Sequence, residues 1–132
     1  MSTRSRVGVM HGNIVKSVYC HYDGYLAYAG KILQEHYNSA EANNLVALGN
    51  NSGVQKTVEE MNFDKEEDVS WQVAHTFEEF LEQVNNCHGE YYYIIKDGIW
   101  YAGCVYETKG LIKDGLVELN QALSEALVME EV

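Results

Sequence analysis

The sequence contains no proline. One of the usual helix-stop signals is therefore missing, and element ends must be read from glycines and capping residues instead. Cysteine is sparse and odd in number. Cys20, Cys87 and Cys104 show no C-x-x-C spacing, which excludes a disulfide framework and a zinc ribbon and leaves reduced thiols as the expected state. Bases are few: 9 Lys and Arg face 20 Asp and Glu, for a formal net charge of -11. That charge opposes direct binding to nucleic acid, whose phosphates it would repel, and a polybasic membrane anchor, so neither is expected. No apolar run approaches the roughly 20 residues that span a bilayer. The stretch Met1 to Arg6 is polar and leads into a short alternating segment, so no signal-peptide core is expected and the chain reads as one kept inside a cell. Also missing are G-x-x-x-x-G-K-S/T, G-x-G-x-x-G and G-x-S-x-G, which excludes phosphate cradles and hydrolase elbows at the motif level.

What is present suits one globular domain: 132 residues, 46% hydrophobic and 22% charged. The charge is unevenly placed. Residues 1 to 56 hold five bases against three acids, a net of +2, and the remainder holds four bases against 17 acids, a net of -13. Such asymmetry marks an interaction surface or, more blandly, the solvated outer faces of helices.

The order of elements follows from periodicity. Val7 and Val9 alternate with Arg6, Gly8 and Met10, and after His11-Gly12-Asn13 the segment Ile14 to Tyr22 is rich in β-branched and aromatic residues. This predicts a first hairpin over 4–22. Leu26, Ala29, Ile32 and Leu33 fall at helical spacing, predicting a helix from Tyr25 to Tyr37. Asn38-Ser39 offers an N-cap for a helix over Ala40 to Leu48, closed by Gly49. Residues 50–68 read as partly irregular and exposed, ending in the acidic run Asp64 to Asp68. Ser70 to His75 reads as a brief strand. Thr76 and Glu79 have capping-box spacing ahead of a helix over Phe77 to Asn86. Tyr91 to Lys96 and Ile99 to Tyr106 flank Asp97-Gly98, a second hairpin, and Leu116, Leu119, Leu123 and Leu127 predict a final amphipathic helix to about Met129. The expected architecture is α+β: an antiparallel sheet from two hairpins, with three to four helices covering one face.

The densest chemistry lies at Cys20, His21, Tyr22, Asp23 and Tyr25. His21 and Asp23, two apart on a strand, point the same way and have the makings of a base and its orienter, or else Asp23 caps the following helix. Arg4, inside the first strand, has the fork geometry to hold a carboxylate or phosphate, or pairs with Asp23. Cys20-His21 and Cys87-His88 suggest zinc. Strand neighbours point to opposite faces, however, so no metal or other cofactor is expected. Cys104, in an apolar strand, reads as core. Of the consecutive Tyr91, Tyr92 and Tyr93, the alternation puts Tyr92 on the opposite face from its neighbours, so either one set meets solvent, a loop or a partner, or the tyrosines serve β propensity with their hydroxyls at the rim of the core. Glu78, Glu79 and Glu82 line one helical face, with Glu59, Glu60, Asp64, Glu66, Glu67 and Asp68 gathered before it. Such a row of carboxylates imitates the phosphates of a duplex.

The opening M-S-T-R-S-R-V-G and the segment Y-C-H-Y-D-G-Y at 19 to 25 resemble a family of small uncharacterised proteins carried by bacteriophages and prophages, which share an M-x-T-R-S start and a Y-C-H-W-D-G-Y-like stretch. Gly30 to Tyr37 is similar to that family's G-K-x-L-x-E-H-Y, Leu45 to Gly49 to its L-x-A-L-G, and Lys96 to Tyr101 to its K-D-G-x-W-Y. Tyr22 stands where tryptophan is usual and Leu26 where proline is usual. The resemblance covers the first 50 residues well, the 91–101 hairpin moderately and the middle poorly. It implies a phage accessory gene acting in the host bacterial cytoplasm, and it carries no catalytic residues over. The resulting expectation is a non-enzymatic inhibitor of a host, defence-related, nucleic-acid-handling protein with a basic surface. Its contact residues would be Arg4, His21, Tyr22, Asp23, Tyr25, Glu78, Glu79 and Glu82. Two alternatives remain open: a protein that sequesters a nucleotide signal through Arg4, Tyr22 and Tyr25, and a small hydrolase-like enzyme using His21 and Asp23. Homo-oligomerisation is open as well.

Overall fold

The computed structural model describes residues 2–63 and 71–131, with side chains described to residue 126; the acidic run Asp64 to Asp68 and the start of the strand expected at Ser70 lie outside the described residues. β1 (Ser5–His11) and β2 (Ile14–Cys20) form the first hairpin, closed by a two-residue turn with Gly12 at a φ of 62°. β4 (Tyr91–Lys96) and β5 (Ile99–Cys104) form the second, where Asp97 and Gly98 both take positive φ, as a primed turn requires. β3 (Gln72–Ala74) lines the outer side of β2 and β6 (Val117–Glu118) the outer side of β5. The six strands run in the order β3-β2-β1-β4-β5-β6. Four of the five pairings are antiparallel. The fifth, β1 with β4, is parallel, with Ser5 opposite Tyr91 and Val9 opposite Ile95. The protein is a single α+β domain with a mostly antiparallel, mixed sheet.

The helices do not all cover one face as expected. On the first face, Val7, Val9, Val18, Tyr93 and Ala102 meet a π-helical turn (Leu26–Gly30), α1 (Lys31–His36), α2 (Ser39–Leu48) and α4 (Leu119–Glu131) through Leu26, Leu33, Leu45, Val46, Leu119 and Ala122. On the second, Val15, Ala74, Tyr92 and Ile94 are covered by Phe80 and Val84 of α3 (Phe77–Asn86). Both faces of the sheet therefore carry apolar side chains. Of the tyrosines, Tyr92 and Tyr93 point to opposite faces and both are fully buried, with hydroxyls donating to the Gly115 and Gly24 carbonyls, and Tyr91 is half-buried, so the reading as core residues with satisfied hydroxyls is the one that holds. The Phe77 and Phe80 rings meet Tyr92 edge-on at 6.1 and 5.8 Å, a favoured aromatic arrangement.

Three local readings also change. The helix expected from Tyr25 opens as a π-helical turn and becomes α-helical only at Lys31. Gly30 sits at the junction, where a Cβ would lie 3.2 Å from Tyr93 and 3.3 Å from Leu119. The segment after Gly49 is irregular as expected but only partly exposed: Ser52, Lys56, Thr57, Glu59 and Glu60 are exposed, whereas Asn51, Val54 and Met61 are buried, and the Asn51 N–H donates to the Tyr19 carbonyl. At α3, Thr76 accepts from the Glu79 N–H at 3.0 Å, but the Glu79 carboxylate lies 3.7 Å from His75 Nδ1, so only half of the capping box forms. A full box does form at α2, where Asn38 accepts from Glu41 N–H and Glu41 reaches back. The last helix begins at Leu119, because Val117–Glu118 pair with β5.

Candidate functional site

The open end of the first hairpin is held from three sides. Beyond the last ladder pair, Ser5 with Cys20, the Gly24 N–H donates to the Thr3 carbonyl at 2.9 Å. A Cβ on Gly24 would come within 2.6 Å of Ser5, so the approach admits only glycine. The buried Tyr93 hydroxyl donates to the Gly24 carbonyl at 2.7 Å, and the His21 and Tyr22 N–H groups donate to the Asn51 and Ser52 carbonyls.

The ladder pairs Arg6 with Tyr19 and ends at Ser5 with Cys20, one residue short of Arg4 and His21, whose backbones bond instead to Glu90 and Asn51. Tyr19 and His21 are joined by a hydrogen bond of 2.5 Å between Oη and Nδ1, and the His21 ring packs edge-on against Tyr22 at 4.3 Å. The charge of Arg4 is felt at Tyr19, where it opposes the larger effect of burial, which raises the hydroxyl's pKa. Arg4, His21 and Tyr22 are thus brought together around Tyr19. Asp23 is exposed at a φ of 56°, which breaks the strand alternation, and the imidazole nitrogen that an orienting carboxylate would hold is taken by Tyr19. Asp23 does not cap the next helix, whose start at Tyr25 has no side-chain cap. No Arg4–Asp23 ion pair forms among the described residues. Tyr25 turns toward Tyr28, 6.0 Å between rings.

Glu78, Glu79 and Glu82 lie on the outer side of α3, with Glu78 and Glu82 exposed. Glu59 and Glu60 sit on a 3-10 turn (Val58–Glu60) whose Val58 packs against the first-face core, so the structure does not gather all the described acids on one side of the sheet. Among the described residues, the charged pairs within 4.0 Å are His36–Glu35 and His75–Glu79, and no lysine or arginine pairs with a carboxylate. Lys16 instead lies over the Trp71 ring, 3.9 Å from its centre.

Arg6 is missed by the sequence reading as a site residue. It is 3% exposed, and its Nε and Nη2 donate to the Ser17 hydroxyl and carbonyl at 2.9 and 3.1 Å. The signal was the strand parity that puts Arg4 and Arg6 on one face. Cys20 points into the opposite, apolar face. Burial pushes its thiol up to about 12, although Asn51 and Ser5 hydrogen bonds and the Arg6 charge oppose this. Cys104 is core as expected. Among the described residues, no three His, Cys, Asp or Glu side chains are placed to hold a metal, and no helix is long and apolar enough to cross a membrane.

The raised Cys20 value carries a pH consequence. The folded thiol stays protonated where the unfolded one has ionised, so its contribution is complete below the ordinary thiol value and lost as pH rises toward about 12. In that interval stability should fall by about 1.4 kcal/mol per pH unit. Tyr92 and Tyr93, both raised chiefly by burial, steepen the loss at higher pH. Chemical denaturation from neutral to strongly alkaline pH should show this slope, and Cys20→Ala should delay its onset. An identical onset in that variant would remove Cys20 as the cause.

No protein-family model, curated protein or solved structure matches the chain.

Proposed function

We propose that the protein is a non-enzymatic accessory protein of phage origin that inhibits a host nucleic-acid-handling protein by presenting α3 acids to its basic surface. One observation carries the reading: with a net charge of -11, no described carboxylate is neutralised by a lysine or arginine of the same chain. Glu78 and Glu82 stand exposed on a helix whose other side is fixed in the second-face core, so they are held in place without being paired. An uncompensated surface of this kind raises association rates with an oppositely charged partner, and that help fades with salt. The phage setting rests on the resemblance of residues 1–8 and 19–37. A binder rather than a catalyst is favoured by the inert, buried Cys20 thiol and by His21 lacking a carboxylate partner.

Affinity capture of the tagged protein from a bacterial lysate, at low and high salt with mass spectrometry, tests this. A DNA- or RNA-binding protein should be retained at low salt and released as salt rises. Glu78→Lys with Glu82→Lys should lose it while the circular dichroism spectrum stays unchanged. A partner held regardless of salt and indifferent to both substitutions would overturn the reading.

A further inference from the structure

A groove of about 410 Å³ opens where β1 begins, beside the carboxyl end of α3, lined among others by Arg4, Asn85, His88, Glu90 and Tyr106. We propose that it is a binding site for a small nucleotide. The phosphate would seat on Arg4 and His88, the base would lie on the Tyr106 ring, and a ribose hydroxyl would reach Glu90 or Asn85. The site does not depend on the acidic-face reading and uses none of its residues.

Four observations converge on this chemistry. The volume lies within the usual range for small-ligand pockets, roughly 300 to 1,000 Å³. Arg4 has no carboxylate within 4.0 Å among the described residues, so its fork of donors is open to an anion. Arg6, two residues along and on the same strand face, is buried with only Ser17 as its hydrogen-bond partner among the described residues. A guanidinium buried without a counter-charge favours an anion nearby, and its field is weakly screened there. Tyr106 is 66% exposed, a large flat side chain lining the same groove as Arg4 and His88. A base can stack on such a ring whatever its identity.

Three features oppose an anion. Glu90 brings a full negative charge into the same lining and, among the described residues, lies more than 4.0 Å from any lysine or arginine nitrogen. In the proposed pose it accepts from a ribose hydroxyl, away from the phosphate. The other two are smaller. The carboxyl end of α3 contributes about half a negative charge, against the full positive charge of Arg4. The net charge of the whole molecule is screened over roughly 8 Å at physiological salt, so it weighs less at the groove than groups in contact. It does weigh against a long polyanion, which is why a small nucleotide is favoured over a nucleic-acid strand.

The test is a titration followed by amide NMR, using adenosine 5′-monophosphate and uridine 5′-monophosphate as probes. Adenosine, inorganic phosphate and a short 5′-phosphorylated oligonucleotide serve as comparisons. Both mononucleotides should shift the amides of Gly89, Glu90 and Tyr106, and adenosine or phosphate alone should bind at least about tenfold more weakly, the loss of one charge-assisted contact. Arg4→Gln should weaken the mononucleotides by about tenfold or more with unchanged melting temperature, since the Arg4 side chain holds no structural bond. Tyr106→Ala should weaken them while leaving phosphate unaffected, and Glu78→Lys with Glu82→Lys should change nothing at the groove. The proposal is overturned if neither mononucleotide shifts these amides at millimolar concentration, if Arg4→Gln binds like the native chain, if phosphate alone binds as well, or if the oligonucleotide binds more tightly.

Discussion

Phe80→Ala should remove about 3–5 kcal/mol of stability, much of what a domain of this size possesses. Phe80 is fully buried at the centre of a small apolar layer built from Val15, Ala74, Val84, Tyr92 and Ile94. Its ring also contacts Phe77 and Tyr92. So few side chains cannot close over the lost ring, and the cavity cost adds to the lost burial. Urea denaturation read by tryptophan fluorescence would measure the change. A loss below about 1 kcal/mol, the size of a minor core trimming, would mean that α3 is dispensable to the fold.

Gly103→Ala should be at least as damaging, through overpacking rather than a void. A Cβ there would lie 2.2 Å from the Gly115 carbonyl oxygen and 2.3 Å from the Tyr92 ring. Neither can yield: the first is backbone, and the second is a buried ring whose hydroxyl donates to that same Gly115 carbonyl at 3.1 Å. Overpacking ordinarily costs about 1–3 kcal/mol, and a clash against backbone belongs at or above the top of that range. Gly12→Ala is the control. It has positive φ but nothing within 4 Å of its Cβ, so it should cost about 1 kcal/mol. Gly103 does not share the positive φ of Gly12, so equal, small losses at the two positions would show that its neighbours give way to a Cβ.

Both hairpins were legible because their turn chemistry is local: Gly12 and Asp97-Gly98 fix the register, and alternation does the rest. The N-caps Asn38 and Thr76 were legible for the same reason. What could not be read was which strand of one hairpin meets which strand of the other, since no residue near Ser5 encodes the approach of Tyr91. From that single unknown followed the error over helix placement. Had Tyr92 met solvent, α3 would have nothing to cover; its burial is a consequence of assembly rather than of pattern. The carboxylate of Glu79 went astray on a smaller scale, because His75, one residue before the cap, competes for it.

At the candidate site, Arg4, His21 and Tyr22 were found as a group because hairpin register is short-range arithmetic. Arg6 was missed because nothing local distinguishes a buried arginine from an exposed one. The groove beside Arg4 needed His88, Glu90 and Tyr106, which arrive from the far end of the chain and only by way of the parallel pairing.

That pairing also bears on how fast the molecule is made. Each hairpin closes over two residues and can form in microseconds, whereas joining β1 to β4 requires the long connection through α1, α2 and α3 to be gathered first. Its entropy must be surrendered before any β1–β4 bond repays it. The refolding rate is therefore expected to be set by this one seam. Mutations at Val7 or Tyr93, which line it, should slow folding more than equal destabilisations made at the hairpin tips.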